Sequence, residues 1–234
     1  MSSATVRESQ VSKEWLGHPR GLFILFLTEM WERFSFYGMR ALLVLYMTKY
    51  LITAADGGMQ VVGWETIRPF VVGVLEKSGI AGESLNTQAI ASQIYGIHTS
   101  LVYITPILGG LLADNWLGKR KSVYLGGTLM AIGHFLMAIE SFFFIALFFI
   151  VLGNGCFKPN ISTQVGAVYP EGDKRVDGAY TIFYMGINLG AFFAALVCGT
   201  LGQKFGWHYG FGAAGVGMMF GLLVYHFGRG YLPP

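Results

Sequence analysis

Four charged residues interrupt a long apolar segment near the start of the sequence. Within residues 21–51 they are Glu29, Glu32, Arg33 and Arg40. A charge at the centre of a bilayer costs at least about 3 kcal/mol, so such residues persist where they face one another or a water-filled cavity. At about 100° per residue, the four charges share an arc of roughly 140° with Phe36 and Tyr37. The pattern predicts a membrane helix whose charged face is turned inward.

A lysine beside a proline marks a second apolar segment. Lys158 precedes Pro159, and a proline inside a helix frees a carbonyl and bends the helix. We expect Lys158 to need a carboxylate partner, which Glu29 and Glu32 could supply. Intramembrane charges usually mark a pathway for a substrate or an ion. The alternative is an internal ion-pair cluster that only orients the helices.

Two further motifs contain polar residues at or within apolar segments. Asn188 offers both a donor and an acceptor, although an asparagine inside a helix bundle often only joins helices. A loop near residue 115 combines an acid at a helix end, a glycine turn and a basic cluster. We interpret this loop as a conformational latch and not as a substrate site; its residues are Asp114, Gly118, Lys119 and Arg120.

The composition is that of a membrane protein. The chain is 53% hydrophobic and 12% charged, with a mean hydropathy of +0.52, and its net charge of +3 does not suggest a nucleic-acid partner. Neither metal-ligand spacing nor an ordered set of nucleophile and base residues occurs, so we predict neither a metal site nor an enzyme. His98 and His134 lie in apolar segments, where we expect them to be packed or hydrogen-bonded and not to carry protons.

Hydropathy predicts an all-α membrane protein with a bundle of six transmembrane helices. The predicted spans are 21–51, 87–113, 122–139, 142–168, 178–202 and 209–227. The predicted organisation is a tail at 1–20, a bundle at 21–228 with an extracytoplasmic connection at 52–86, and the start of a linker at 229–234. Nine Lys and Arg residues lie on the side of the tail against four on the other side, which places both termini in the cytoplasm.

These motifs together resemble the proton-dependent oligopeptide transporters of the major facilitator superfamily. The pattern Glu29-x-x-Glu32-Arg33-Phe34-x-Phe36-Tyr37-Gly38 resembles the family's signature in its first helix. The loop at 114–120 resembles the superfamily's 2–3 loop motif. The runs 157–160 and 184–190 resemble the family's patterns in its fourth and fifth helices. The likeness covers about residues 20–230.

The resemblance implies a symporter of protons with di- and tripeptides in a bacterial inner membrane, with no cofactor and the proton as coupling ion. It implies that the substrate carboxylate is bound by cations, that aromatic residues line the pocket, and that an asparagine meets the peptide amino end. The substrate-binding residues it implies are Arg33, Tyr37, Arg40, Tyr103, Lys158 and Asn188. Glu29 and Glu32 are implied in proton coupling.

The sequence departs from the family pattern at three points. Phe36 stands where the family usually has a tyrosine, and Gly96 stands where animal relatives have a histidine. The family also has two six-helix halves, so we expect this chain to be the N-terminal half of the superfamily fold, without the C-terminal half that alternating access requires. Two other functions remain open: transport of another solute, such as nitrate or a drug-like molecule, and a structural membrane subunit.

Overall fold

The computed structural model describes residues 14–233, which are almost entirely helical. In chain order the helices are α1 (Arg20–Tyr46), α2 (Ile52–Asp56), α3 (Trp64–Lys77), α4 (Thr87–Leu112), α5 (Lys119–Leu136), α6 (Phe143–Ala167), α7 (Val176–Ala194), α8 (Thr200–Lys204) and α9 (Trp207–Gly228). Before α1, strands β1 (Glu14–Trp15) and β2 (His18–Pro19) form an antiparallel hairpin. Six of the helices have 18 residues or more and form the bundle.

Three π-helical turns extend the long helices or join them to short ones. Met47–Leu51 connects α1 to α2, Ala113–Leu117 prolongs α4, and Ala195–Gly199 connects α7 to α8. Turns of this kind are frequent at functional sites. The connection predicted at 52–86 therefore has structure of its own, because it contains α2, α3 and a short 3₁₀ turn at Gly82–Ser84.

Every predicted helix start lies within three residues of the observed one. The largest differences are at two helix ends, which were predicted at 51 and 202: α1 ends at Tyr46 and α7 at Ala194, because each passes there into a π-helical turn. The third span was predicted to begin at 122, but α5 begins at Lys119 because Gly118, with φ of 76°, turns the chain directly into the helix. The first turn of α5 thus carries the basic cluster. The tail predicted at 1–20 lies mostly outside the described residues, and its last part forms the β1–β2 hairpin.

Four of the six long helices, α4, α6, α7 and α9, are long and apolar enough to cross a membrane by length and composition. The charges of α1 lower its mean hydropathy, and the 18 residues of α5 begin with three basic residues. Both helices nevertheless pack within the bundle, α1 against α7 and α9, and α5 against α6 and α9. The count of six membrane crossings stays a prediction.

Glycines allow the helices around α6 to approach closely. A side chain at Gly109 of α4 would meet the backbone of Gly155 in α6, and one at Gly126 of α5 would meet the backbone of Gly153. Small residues at crossing points are the usual means of close packing between membrane helices. The α4, α5 and α6 helices therefore form a tightly packed unit in which substitution is restricted.

Ion pairs and hydrogen bonds join the chain segments at the end of the bundle where α4 ends and α5 begins. Arg175 Nη1 lies 2.7 Å from Glu14 Oε1 and donates to the Gly17 carbonyl at 2.9 Å. Hydrogen bonds from Arg175 also lower the pKa of Asp173 to about 2. Arg120 donates to the Leu232 carbonyl at 2.8 Å and to the Arg229 carbonyl. The hairpin is thus connected to the α6–α7 loop, and the start of α5 is connected to the segment that follows α9.

Neighbouring glycines of α4 offer a matched test of this packing. Gly109→Ala should destabilise the protein by about 1 to 3 kcal/mol, since the new methyl would be forced against the α6 backbone. Gly110→Ala places its methyl at an ordinary 3.9 Å from Pro159, so its thermal midpoint should be unchanged or slightly higher. Thermal unfolding of both variants in detergent is the measurement. Equal midpoints for the two variants would contradict the packing described.

Candidate functional site

A buried ion cluster on α1 forms the centre of the candidate site. Arg33 donates to both carboxylate oxygens of Glu32, and its Nε lies 3.2 Å from Glu29 Oε1. The side chains are almost completely buried, with exposed fractions of 4% for Arg33, 0% for Glu32 and 2% for Glu29. The predicted inward charged face of α1 is therefore observed, and one guanidinium is shared by two carboxylates.

Close packing of neighbouring helices keeps this cluster away from solvent. Gly190 of α7 packs against the α1 backbone at Met30 and Phe34 and against the Cβ of Arg33. Gly217 of α9 leaves room for the Phe34 ring. Both glycines let the helices approach α1, so its apolar face is covered while its charged face points into the bundle.

Lys158 does not have the carboxylate partner that the sequence suggested. Among the described residues, no carboxylate oxygen lies within 4.0 Å of its ammonium group, so the expected ion pair with Glu29 or Glu32 is wrong in this conformation. Its Nζ instead lies 5.5 Å from the centre of the Tyr103 ring, in the range of a cation–π interaction. The reason is that Glu32 and Glu29 are already occupied by Arg33 on their own helix. Lys158 is half-buried and remains available to an anion.

A polar cavity brings together cations from two helices. It has a volume of about 450 Å³, including the open space at its mouth. Five of the predicted substrate-binding residues line it: Arg33, Tyr37, Arg40, Tyr103 and Lys158. Tyr95, His98 and Thr99 of α4 line it as well and were not predicted as binding residues. The cavity therefore lies between α1, α4 and α6.

Tyr95 has a specific contact in this cavity. Arg40 Nε donates to the Tyr95 hydroxyl at 2.5 Å, and the Arg40 guanidinium lies 5.6 Å from the centre of the tyrosine ring. Arg40 is exposed, and among the described residues it has no carboxylate partner. The eight-residue spacing between Tyr95 and Tyr103 places both on one side of α4, a signal that could have identified Tyr95 in the sequence.

Phe36 takes part in the ion cluster through its ring. The Arg33 guanidinium lies 5.1 Å from the centre of the Phe36 ring and 5.9 Å from that of Tyr37. A tyrosine is not needed for this contact, because the ring face alone attracts the cation. The substitution noted in the sequence thus preserves the aromatic surface while removing one hydroxyl.

The structure does not bring the remaining predicted residues into the cavity. Asn188 is exposed, and its side-chain amide donates to the Tyr184 carbonyl one turn earlier at 3.2 Å. Asp114 is exposed in the π-helical turn after α4, and Lys119 lies next to the turn at Gly118. Only Arg120 of that motif makes long-range hydrogen bonds, as described above. The latch interpretation remains a prediction.

The charges of the cavity favour an anionic ligand. Arg33 is neutralised within the ion cluster, whereas Lys158 and Arg40 contact only aromatic rings and a hydroxyl. A carboxylate can accept hydrogen bonds from both kinds of cation, and such charge-assisted bonds are stronger than neutral ones. The aromatic residues Tyr37, Tyr95 and Tyr103 line the same space.

Comparisons with known proteins agree with this geometry. Residues 120–233 match the family model described as PTR2, the POT family. The chain is 44% identical over 227 residues to the peptide transporter YePEPT of Yersinia enterocolitica, covering 95% of this chain and 38% of that protein. It is 42% identical over 224 residues to a di-/tripeptide transporter of Lactococcus lactis, covering 94% and 40% respectively.

A solved structure described as the peptide transporter POT in complex with sulfate resembles the fold closely. The TM-score is 0.78 at 41% identity, and the match covers 99% of this chain and 42% of that one. The chain therefore spans about two fifths of the length of the relatives it matches. The fold is that of a major facilitator superfamily transporter over this part, which makes the chain a membrane protein.

Arg33 and Arg40 provide a matched test of the ion cluster. Arg33→Gln leaves two buried carboxylates without their cation and should destabilise the protein by about 3 to 5 kcal/mol. Arg40→Gln removes an exposed charge held by one hydroxyl and should cost less than about 1 kcal/mol. Arg33→Lys should fall between them, because it keeps the charge without the forked geometry. Thermal midpoints measured in detergent give the order of stability of the three variants. If Arg40→Gln lowered the midpoint as much as Arg33→Gln, the buried ion cluster would not be the stabilising feature described.

Proposed function

We propose that this chain, which belongs to the POT family, forms the N-terminal part of a transporter that moves di- and tripeptides together with protons. The relatives named as peptide and di-/tripeptide transporters support the substrate class. Because the chain spans only about two fifths of those proteins, the activity is proposed for the complete transporter.

The main support for this proposal is the arrangement of the cations that line the cavity. Lys158 and Arg40 lack carboxylate partners among the described residues, while Arg33 sits beside them within a pair of buried acids. A peptide has a carboxylate at one end, and the two available cations provide a place for it. A structural membrane subunit would not require a half-buried lysine that is left without a counter-ion, because the burial of its charge costs desolvation energy.

Proton coupling follows from the competition for Arg33. When Glu29 and Glu32 are both ionised, they hold the guanidinium, and the peptide carboxylate meets Lys158 and Arg40 only. The Nε and Nη2 atoms of Arg33 donate to the carboxylate of Glu32. Protonation of Glu32 neutralises this carboxylate, so Arg33 becomes available to the peptide. A proton then raises the affinity for peptide, and by linkage the peptide raises the affinity for the proton.

Transport of another solute in the same family is the second candidate. The same two cations would attract nitrate or an acidic drug-like molecule equally well. The buried acid pair favours a proton-coupled substrate, because two adjacent carboxylates with one cation form a site that gains or loses a proton. Competition assays with a tripeptide and with nitrate would separate the two candidates.

We further propose a bacterial inner-membrane location with the N-terminus in the cytoplasm. The support is the excess of Lys and Arg on the side that contains residues 119–121 and 174–175. On this side lie the Arg175 and Arg120 contacts that connect the segments at the end of the bundle.

The first prediction for this function concerns the carboxylate site. In the complete transporter, Lys158→Ala should reduce proton-driven peptide uptake at least about tenfold, since a charged hydrogen bond contributes about 1.5 to 3 kcal/mol. Lys158→Arg should retain part of the uptake. Lys204→Ala, which changes a lysine outside the cavity, is the matched control and should transport normally. Normal uptake by Lys158→Ala would exclude Lys158 from substrate binding.

The second prediction concerns coupling. Glu32→Gln imitates the protonated acid, so it should abolish uphill accumulation yet preserve peptide counterflow, which needs no net proton movement. Glu29→Gln should behave similarly but with a weaker effect, because Glu29 makes one contact with Arg33 where Glu32 makes two. Both transport modes are measured in proteoliposomes, and the control is Glu65→Gln, which changes an exposed acid at the start of α3. If the Glu32→Gln variant still accumulated peptide against its concentration gradient, Glu32 would have a structural role and no role in proton coupling.

The third prediction concerns orientation. Trp116, which is 82% exposed between α4 and α5, is a suitable position for a labelling reporter. A cysteine introduced at Trp116 should resist an impermeant thiol reagent in intact cells and react after the cells are opened. Labelling in intact cells would reverse the proposed topology. Because native Cys156 and Cys198 are buried, the unmodified protein gives the background.

A further inference from the structure

Two prolines interrupt α4 and α6 close to the place where these helices pack against each other, at Gly109 and Gly155. Pro106 lies inside α4 and Pro159 lies inside α6. Because proline has no N–H, each one removes the hydrogen bond to the carbonyl four residues earlier in its own helix. The carbonyls of Val102 and Gly155 therefore lack the partner that an unbroken helix would supply. A buried carbonyl without a partner is unfavourable, so both need another environment.

Asn154 of α6 supplies a partner for the first of these carbonyls. Its Nδ2 donates to the Val102 carbonyl at 3.1 Å, and the side chain is only 1% exposed. The second carbonyl, that of Gly155, lies against Gly109 of α4, where a glycine leaves it room. The two helices thus fit together at the two carbonyls that their prolines release.

The bond from Asn154 is the least divided of the side-chain hydrogen bonds between these two helices. Thr105 of α4 and Asn160 of α6 also donate to the other helix, at 3.1 and 3.4 Å. Each of them donates to a carbonyl of its own helix at a shorter distance, 2.9 and 2.8 Å respectively. Among the described residues, Asn154 makes no such bond within α6, so its amide donates to α4 alone.

This hydrogen bond lies beside the two residues that form the cation–π contact of the cavity. Lys158 follows Asn154 by four residues, which places it one turn further along the same face of α6. Tyr103 directly follows Val102 on α4, and the centre of its ring lies 5.5 Å from Lys158 Nζ. Pro159 removes an intrahelical bond from the turn that contains Lys158. The bond to α4 therefore replaces a restraint that α6 itself lacks.

We propose that Asn154 is a positioning residue for Lys158 at the carboxylate site. Its bond to the Val102 carbonyl fixes the turn of α6 that contains Lys158 against the part of α4 that contains Tyr103. Asn154 does not line the cavity, so it acts on a substrate only through Lys158. The inference rests on the proposed function, in which Lys158 binds the peptide carboxylate. A residue that only stabilised the bundle would leave the affinity for peptide unchanged.

A double-mutant cycle with Pro106 tests the hydrogen bond without a substrate. In the complete transporter, Asn154→Ala should lower the thermal midpoint, because it leaves the Val102 carbonyl buried and unpaired. Pro106→Ala restores the N–H that this carbonyl lacks, so in its background Asn154→Ala should lower the midpoint clearly less. Pro106 is partly exposed, so the bundle should tolerate this change.

The matched control for the cycle is Tyr225→Phe. It removes a buried hydrogen bond of 2.9 Å from α9 to Gln164 of α6, which involves no carbonyl released by a proline. The loss of thermal midpoint that it causes should be the same with and without Pro106→Ala.

The affinity for peptide separates positioning from stability. Asn154→Ala should raise the Kd of the purified transporter for a dipeptide about tenfold, as expected when one charged hydrogen bond is lost. Adding Pro106→Ala should bring the Kd back to that of Pro106→Ala alone. Tyr225→Phe should leave the Kd unchanged, because its hydrogen bond lies outside the cavity.

Each contrary result has a distinct meaning. Equal losses of midpoint with and without Pro106→Ala, or a failure of Asn154→Ala to fold in both backgrounds, would overturn the hydrogen bond as the reason for Asn154. A rescued midpoint with an unchanged Kd would overturn the positioning role and make Asn154 a structural residue. If the unmodified transporter bound no dipeptide, the proposed function would fail together with this role, while the thermal cycle would still decide the hydrogen bond.

Discussion

The structure depends on the burial of three charged side chains of α1 inside an apolar bundle. A guanidinium and two carboxylates removed from water cost several kcal/mol each, and only a geometry in which each satisfies the others makes this tolerable. Arg33 meets most of this condition: it donates to both carboxylate oxygens of Glu32 and lies beside Glu29 Oε1, while Glu29 Oε2 has no hydrogen-bond partner among the described residues. The glycines of α7 and α9 that pack against α1 serve the same condition, since they let the neighbouring helices exclude water from the cluster.

Satisfying Arg33 on its own helix has a consequence for the rest of the site. Because both acids bind the guanidinium of Arg33, neither Lys158 nor Arg40 has a carboxylate partner among the described residues. Lys158 lies over the Tyr103 ring, and Arg40 contacts Tyr95. A cation on a ring face is held less tightly than one in an ion pair, so an incoming anion can displace the ring at little cost. The same acids that stabilise α1 thus create the positive cavity beside it, and a change in their protonation alters both.

The sequence predicted the helices and the inward charged face of α1 because charges within apolar segments can have few arrangements, whereas most cavity residues were implied by the family resemblance. The inward face of α1 follows from helical spacing, and Arg33, Tyr37, Arg40, Tyr103 and Lys158 do line one cavity. The partner of Lys158 was wrong because spacing along a chain does not reveal which of two cations a carboxylate selects. Tyr95 and His98 were missed as cavity residues, since their role depends on how α4 rotates against α1 and α6, a result of glycine packing at Gly109.

The helices of the bundle differ in how closely they pack, and this difference indicates which parts can move. Around α6 the glycine contacts leave no room for side chains, so we expect α4 and α5 to move together with α6. The cavity lies between α1 on one side and α4 and α6 on the other. There α1 makes fewer contacts than it makes with α7 and α9, and side chains line the space. Rotamer changes of Arg33, Arg40 and Lys158 are therefore easier than helix movements within the bundle. Binding can rearrange the charges of the cavity first, and a larger motion would have to displace α4, α5 and α6 together.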